Sequence, residues 1–137
     1  MADDLVYSDS YLRSILEKVK TIAMVGASTS EMRPSYFAML YLQGKGFRVI
    51  PVNPNEQTVV GEPAYASLGE VPGAIDLVNI FRRSEDVLSI VEAAIAVGAK
   101  AVWMQEGVIN HSAAERARAA GLAVVMDRCW LKEHAVR

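Results

Sequence analysis

The chain has 137 residues, 52% of them hydrophobic and 22% charged, an ordinary balance for one globular domain over residues 1–137 that excludes a disordered or collagen-like chain. Fourteen basic residues against sixteen acidic ones leave a formal net charge of −2, which argues against nucleic acid or an anionic membrane as a partner. The one cysteine, Cys129, cannot form an internal disulfide and two histidines are too few for a typical zinc site, so we expect no metal ion and a cytoplasmic location.

The N-terminal residues lack a signal that would direct the chain to a membrane. Residues 1–9 contain three aspartates and no apolar run longer than three residues, whereas a signal peptide combines a basic start with an apolar run of about 7–15 residues. Later apolar stretches, such as residues 22–25, are far shorter than the roughly 20 residues that span a bilayer. We therefore expect neither a signal peptide nor a membrane span.

Apolar runs of four to six residues alternate with segments of helical spacing, which is typical of βαβ units and a parallel sheet. An opening helix is predicted to start after Ser8 or Ser10. Its buried stripe has helical spacing and consists of Leu12, Ile15, Leu16 and Val19. Main strands are predicted at residues 21–25, 47–52, 75–81, 101–104 and 122–126, with a further short strand at 58–60.

Helices are predicted where capping residues frame a helical pattern. Pro34 suits the first turn of a helix that runs to about Lys45. Ser84 is predicted to cap the helix that ends at residue 97, and Ser112 with Glu115 forms a capping box for the last helix. The sequence therefore predicts an α/β, Rossmann-like domain of three layers, with a five-stranded parallel sheet in the order 3-2-1-4-5 and helices on both faces.

The residues that follow the strand ends form the candidate binding site, because ligands of open parallel sheets bind beyond the carboxyl ends of the strands. Gly26 turns the chain into a helix whose free N–H groups and positive dipole end suit a phosphate. Arg33 adds a full positive charge, and nearby hydroxyls can donate to phosphate oxygens. The alternative is a plain tight turn with a serine cap. The candidate residues are Gly26, Ala27, Ser28, Thr29, Arg33, Pro34, Ser35, Val52, Asn53, Pro54, Phe81, Arg82, Gln105, Glu106 and Gly107.

Two common nucleotide-binding patterns do not fit this junction. A dinucleotide fingerprint has the form G-x-G-x-x-G, but only Gly26 of its glycines is present. An NAD site also places an acidic residue at the end of the second strand, where this chain has Val52, Asn53 and Pro54. A P-loop would need a lysine between Gly26 and the next helix. NAD and ordinary ATP or GTP hydrolysis are therefore disfavoured, and a nucleotide ligand of another kind remains.

Short motifs along nearly the whole chain resemble one known family. They are Gly26-Ala27-Ser28, Arg33-Pro34-Ser35, Val52-Asn53-Pro54, the stretch from Ser67-Leu68 to Val71-Pro72, Ile75-Asp76-Leu77-Val78, Trp103-Met104-Gln105 and Asp127-Arg128-Cys129. They resemble the small stand-alone CoA-binding proteins (YccU-like), which are similar to the N-terminal CoA-binding domain of the succinyl-CoA synthetase alpha subunit. The resemblance implies coenzyme A as the ligand, with residues 26–28, 52–54 and 105–107 along its cleft. It does not imply ligase activity, because the phosphorylated histidine of the synthetase lies in a further domain.

The residues and the resemblance agree on the character of the ligand. CoA has a pyrophosphate for the first turn, an adenine that suits an apolar slot such as Val52 and Pro54, and a 3′-phosphate that needs a cation. Arg82 or Arg83 could reach a phosphate, and the alternative for both is a solvated pair beside neighbouring acids. We rank Arg33 above both of them.

The predicted function is a non-catalytic module that binds coenzyme A or an acyl-CoA, without nucleic acid or a membrane as partner. The alternative is an enzyme that holds a nucleotide-type cofactor or an acyl-CoA substrate in the same cleft, with Cys129, Asp127 or Glu106 in an acid, base or covalent role. Cys129 and His134 lack a recognisable acidic orienter. We therefore interpret Cys129 as a packed small hydrophobic residue and assign no catalytic residue.

Overall fold

The main strands pair in parallel, and helices cover both faces of the sheet. The computed structural model describes residues 5–137, and none of the helices in that range is long and apolar enough to cross a membrane. The helices are α1 (Asp9–Lys18), α2 (Pro34–Gly44), α3 (Val87–Ala96), α4 (His111–Ala119) and α5 (Trp130–Ala135). The strands are β1 (Thr21–Val25), β2 (Arg48–Val52), β3 (Thr58–Val59), β4 (Glu62–Pro63), β5 (Leu77–Ile80), β6 (Ala101–Met104) and β7 (Ala123–Val125). The short strands β3 and β4 pair with each other, outside the main sheet.

The predicted fold class is confirmed, but the predicted strand order is wrong. The sheet runs β2-β1-β5-β6-β7, so the main strands follow the order 2-1-3-4-5 rather than 3-2-1-4-5. The place outside β2 is taken by the crossover segment, since Tyr65 donates its N–H to Pro51 at 3.0 Å and accepts that of Asn53 at 2.9 Å. The third main strand, β5, lies beside β1 instead. Its start is fixed there because the Asp76 carboxylate accepts the N–H of Thr21 at 3.0 Å, a bond that also lowers the pKa of Asp76.

The two faces of the sheet carry separate hydrophobic cores. On one face, α1, α2 and α5 pack against β1 and β6, and Trp103 of β6 meets Trp130 of α5 edge to face with 5.0 Å between ring centroids. On the other face, α3 and α4 pack against strand residues such as Val78 and Val102. Successive strand residues point to opposite faces, so continuous apolar strands of this kind are buried on both sides.

Most helices and strands begin and end close to the predicted positions. Ser8 caps α1, and its hydroxyl oxygen accepts the N–H of Tyr11 at 3.1 Å. α2 ends at Gly44, and β2, β5 and β7 are each shorter than predicted. Val60 lies outside β3 because its φ of 48° is incompatible with an extended strand. Neither β4 nor α5 was among the predicted elements.

The predicted caps of α3 and α4 are wrong. The side chain of Ser84 binds another loop instead of α3, and a different residue caps α4. The Ser84 hydroxyl accepts the N–H of Ile109 at 3.0 Å, and α3 begins only after a 3-10 turn at Ser84–Asp86. Asn110 caps α4, since its side-chain oxygen accepts the N–H of a first-turn residue at 3.0 Å. The Ser112 hydroxyl donates to that same oxygen, so Ser112 and Glu115 do not form the predicted capping box.

Tyrosine hydroxyls bind the outer edge of β7. The Tyr11 hydroxyl donates to the Val124 carbonyl and accepts the Val124 N–H, both at 2.9 Å. The Tyr7 hydroxyl accepts the N–H of Met126 at 2.7 Å, and burial raises the pKa of Tyr7. At the opposite edge, the segment around Tyr65 borders β2.

Candidate functional site

The candidate site lies where the chain leaves two neighbouring strands toward opposite faces of the sheet. After β1 the chain turns at Gly26 toward α2, and after β5 it turns at Phe81 toward α3. The two strands pair directly with each other. A crevice therefore opens between their carboxyl ends, which is the usual place for a ligand in an open parallel sheet.

Gly26 brings these two strand ends together. Its N–H donates to the Val52 carbonyl at 2.9 Å, and the Phe81 N–H donates to the Val25 carbonyl at 2.8 Å. The φ of Gly26 is +89°, and a Cβ at this position would lie 2.5 Å from the Phe81 carbonyl oxygen. The turn requires glycine for two reasons, its left-handed backbone and its contact with Phe81.

Two cavities meet at the crevice, and Gly26 and Arg82 line both of them. The large cavity, about 480 Å³, lies between α2, α5 and the ends of β5 and β6. The small cavity, about 280 Å³, lies between the end of β2 and the first part of α3. A wider surface depression of about 650 Å³ borders β7 near Tyr7 and Arg118, but it is not at the carboxyl ends of the strands. We therefore assign the site to the large and small cavities.

α2 presents an uncapped amino end to the large cavity. The residue before the helix, Arg33, makes no side-chain capping bond, and Pro34 occupies the start of the first turn. Ser35 follows and lines the cavity. It is 2% exposed, and its hydroxyl has no hydrogen-bond partner. The dipole at this end of the helix and the Ser35 hydroxyl together suit a phosphate or another polar ligand group.

The loop between β1 and α2 uses its own polar groups to hold its shape. The Ser28 hydroxyl accepts the N–H of Ser30 at 3.0 Å, and the Asn53 side chain donates to the Ala27 carbonyl at 2.8 Å. Ala27 is fully buried in the core. Ala27, Ser28 and Thr29 therefore shape the turn and lie outside the walls of both cavities.

Arg82 is the arginine that the structure places at both cavities. Its side chain is 49% exposed and lies 3.4 Å from the Asp86 carboxylate. Arg83 is 73% exposed, pairs with Asp86 at the same distance and lines neither cavity. Arg33, which ranks first from the sequence, is exposed and also lies outside both walls. The structure therefore favours Arg82 as the cation of the site.

The end of β6 contributes a fixed amide and an ion pair to the large cavity. Gln105 is buried, and its side-chain nitrogen donates to the Asn79 side-chain oxygen at 2.7 Å, which fixes the orientation of the amide. Glu106 pairs with Lys132 of α5, with 2.9 Å between Oε1 and Nζ. The hydrogen bond to Glu106 raises the pKa of Lys132.

α5 forms a wall of the large cavity that the sequence analysis does not predict. Leu131 lines this wall, and so does Cys129, which directly precedes the helix. Cys129 is half-buried, so the interpretation of this residue as a packed core side chain is wrong. The helix is held by the fully buried Trp130 and by His134, whose Nδ1 lies 2.7 Å from the Tyr41 hydroxyl. Burial lowers the pKa of His134.

Most of the residues predicted for the site line one of the two cavities. These are Gly26, Pro34, Ser35, Val52, Asn53, Pro54, Phe81, Arg82, Gln105 and Glu106. The remaining predicted residues lie outside both walls and are Ala27, Ser28, Thr29, Arg33 and Gly107. Lining residues that the sequence analysis missed include Phe37, Ala66, Ser89, Ile90, Val108, Leu131 and Lys132. Phe37 is 58% exposed and lines the large cavity, so its ring is accessible to a ligand there.

Comparison with known proteins decides the family. Residues 20–135 match a family model described as a CoA binding domain. The chain belongs to this CoA-binding domain family. The resemblance predicted from the sequence is thereby confirmed, and the match covers every main strand and both cavities.

Its relatives include proteins of similar length and a subunit of a longer ligase. The uncharacterized protein YneT of Bacillus subtilis (strain 168) is 37% identical over 129 residues, which are 94% of this chain and 96% of that protein. The structure of a hypothetical protein from Pyrococcus horikoshii OT3 is similar with a TM-score of 0.92 and 38% identity, over 95% of this chain and 92% of that one. The alpha subunit of the ADP-forming acetate–CoA ligase II of Pyrococcus furiosus is 40% identical over 60 residues, 43% of this chain and 13% of that protein.

Proposed function

We propose that this member of the CoA-binding domain family binds coenzyme A or an acyl-CoA at the carboxyl edge of its sheet, as a non-catalytic module. The observation that carries the proposal is the meeting of two cavities at Gly26 and Arg82, beside the uncapped end of α2. A ligand with a charged middle and two chemically different ends fits such a site. Coenzyme A has this form, with a pyrophosphate between an adenosine and a pantetheine arm.

The small cavity suits the adenine. Val52, Pro54 and Ile90 give it apolar walls, and Asn53 and Ser89 supply polar groups at its rim. A flat heteroaromatic base is recognised in this way, by apolar surface with a few placed polar groups. Arg82 lines both cavities, and the amino end of α2 lines the large one, so a pyrophosphate there would receive charge-assisted hydrogen bonds from Arg82 and favourable interaction with the helix dipole.

The large cavity suits the pantetheine arm. Phe37, Val108 and Leu131 line it with apolar surface, while Ser35 and the fixed amide of Gln105 add hydrogen-bonding groups. The arm alternates methylene segments with amides, so it needs both kinds of contact. A bound acyl group would extend this arm within the same cavity.

Coenzyme A is expected to raise the melting temperature of the protein, whereas NAD at equal concentration is expected to leave it unchanged. A ligand that binds only the native state stabilises it by about 2.7 kcal/mol at 100 times its Kd. NAD lacks its usual partners here, because Asn53 stands where a ribose-binding acid is required. Thermal unfolding followed by circular dichroism, with CoA, acetyl-CoA or NAD, measures the shifts. Equal shifts from CoA and NAD would contradict the proposal, and breakdown of acetyl-CoA during the incubation would favour the enzyme alternative.

Arg82→Ala is expected to weaken CoA binding by about 10- to 100-fold, because a hydrogen bond to a charged group contributes about 1.5–3 kcal/mol. Arg83→Ala is the matched control, since it makes the same change of charge at a residue that lines neither cavity and also loses a pairing with Asp86, together with one to Glu85. The affinity of Arg83→Ala for CoA is expected to stay near that of the native protein. Isothermal titration calorimetry at one ionic strength measures both. Equal losses would indicate a general effect of charge and remove Arg82 from the site.

A further inference from the structure

Cys129 is the one thiol of the chain and stands on the wall of the large cavity. Its backbone is extended, with φ −88° and ψ 116°, because it is the last residue before α5. The side chain is half-buried and free. A ligand arm that occupies the large cavity therefore comes within reach of its sulfur.

A second feature of the same cavity indicates a polar ligand arm close to that thiol. Ser35 lines the cavity from the opposite helix, is 2% exposed and has no hydrogen-bond partner for its hydroxyl. A buried polar group without a partner costs about 1–3 kcal/mol, so this hydroxyl is available to bond a polar group that enters the cavity. The fixed amide of Gln105 lines this cavity as well. Cys129 thus shares its cavity with groups that bind amides and hydroxyls.

The two basic residues near Cys129 in the sequence, Arg128 and Lys132, each pair with an acidic residue. Arg128 is next to Cys129 in the chain, but its guanidinium binds elsewhere, 3.3 Å from Glu133 and 5.5 Å from the ring centroid of Tyr7. Lys132 lines the large cavity and pairs there with Glu106 at 2.9 Å, a hydrogen bond that raises the pKa of Lys132. The thiolate is the form of a cysteine that reacts with disulfides.

We propose that Cys129 is a covalent modification site for oxidised coenzyme A, the symmetrical disulfide of CoA. The proposal rests on the proposed function, because binding of CoA would bring its sulfur to the large cavity. Cys129 gives its proton to solvent, and Sγ attacks one sulfur of the CoA disulfide. The Sγ–S bond forms, the original S–S bond breaks, and a proton from solvent goes to the departing CoA thiolate. One disulfide replaces another, so the step needs no further oxidant, and a small thiol reverses it.

Intact-mass measurement tests this modification directly. Incubation of the native protein with CoA disulfide is expected to add the mass of one CoA, and a reductant is expected to remove it. Cys129→Ser and Cys129→Ala are expected to gain no mass, and a circular dichroism melt establishes that each variant is folded. Glutathione disulfide at the same concentration is expected to load the protein at least about tenfold more slowly, because only CoA is positioned by the site. Desulfo-CoA, which lacks the sulfur, is expected to slow loading by CoA disulfide alone.

The outcomes separate this inference from the proposed function. Absence of a reversible mass gain, the same gain in a folded Cys129 variant, or equal rates with glutathione disulfide would overturn the modification site. Calorimetry of the native protein with reduced CoA tests binding itself. Binding without a mixed disulfide overturns the modification site alone, whereas no binding overturns the proposed function and leaves any adduct a property of a merely accessible thiol.

Discussion

Trp130→Ala is expected to lower the free energy of unfolding by about 3–5 kcal/mol, the usual cost of truncating a buried tryptophan. Trp130 is fully buried, meets Trp103 edge to face at 5.0 Å and Phe47 at 5.9 Å between ring centroids, and stacks on His134. α5 has six residues, too few to be stable without tertiary packing. Loss of this anchor is therefore expected to release α5 and with it one wall of the large cavity.

Trp130→Phe is the matched control for this change. The indole nitrogen of Trp130 has no hydrogen-bond partner, so phenylalanine loses volume but no hydrogen bond. Its cost is expected to be less than half that of the alanine variant. Urea denaturation of both variants, with the slopes compared, measures the loss. Similar costs for alanine and phenylalanine would show that the packing of Trp130 does not hold α5 in place.

Gly26→Ala is expected to destabilise the protein more than Gly98→Ala, although both glycines have positive φ, +89° and +76°. A left-handed backbone costs an alanine about 1–2 kcal/mol at either position. At Gly26 the new Cβ would also lie 2.5 Å from the Phe81 carbonyl oxygen, whereas nothing lies within 4 Å of a Cβ at Gly98. Overpacking of this kind adds about 1–3 kcal/mol. The difference between the two variants therefore isolates the contact that holds the ends of β1 and β5 together.

The same urea measurements, made at one pH and temperature, compare the two glycine variants. An equal cost at both positions would show that backbone strain accounts for the whole effect and that Phe81 moves away freely. In that case Gly26 would not define the crevice. The expected result is instead a larger loss for Gly26→Ala, together with weaker CoA binding, because Gly26 lines both cavities.

Local sequence patterns predicted the structural features that depend on neighbouring residues. They did not predict the features that depend on contacts between residues far apart in the chain. Ser8 caps α1 as predicted because its partner is three residues away. Ser84 has an equally good local signal, but its hydroxyl is taken by Ile109, 25 residues further along the chain. The strand order failed for the same reason, since it depends on where the crossover segment around Tyr65 lies rather than on any one strand.

The predicted residues that follow the strand ends mostly line the two cavities, whereas several wall residues that belong to helices were not predicted. Val52, Arg82 and Gln105 follow directly from the rule that ligands bind beyond parallel strands, and all three line a cavity. Leu131 was missed because α5 is too short for a clear helical period. Arg33 lies outside the walls of both cavities, which the sequence does not indicate because it shows a residue's charge but not the direction of its side chain.

The tyrosine contacts at β7 also determine how this sheet meets other chains. The last strand of a sheet exposes N–H and C=O groups that can template the addition of a strand from another molecule. The hydroxyls of Tyr11 and Tyr7 occupy those groups at Val124 and Met126, and the segment around Tyr65 occupies those of β2. A hydroxyl satisfies a strand without continuing it, so the sheet ends there. Addition of a strand from another molecule is thereby obstructed at the groups that these contacts occupy, and so is growth into cross-β aggregates from those points.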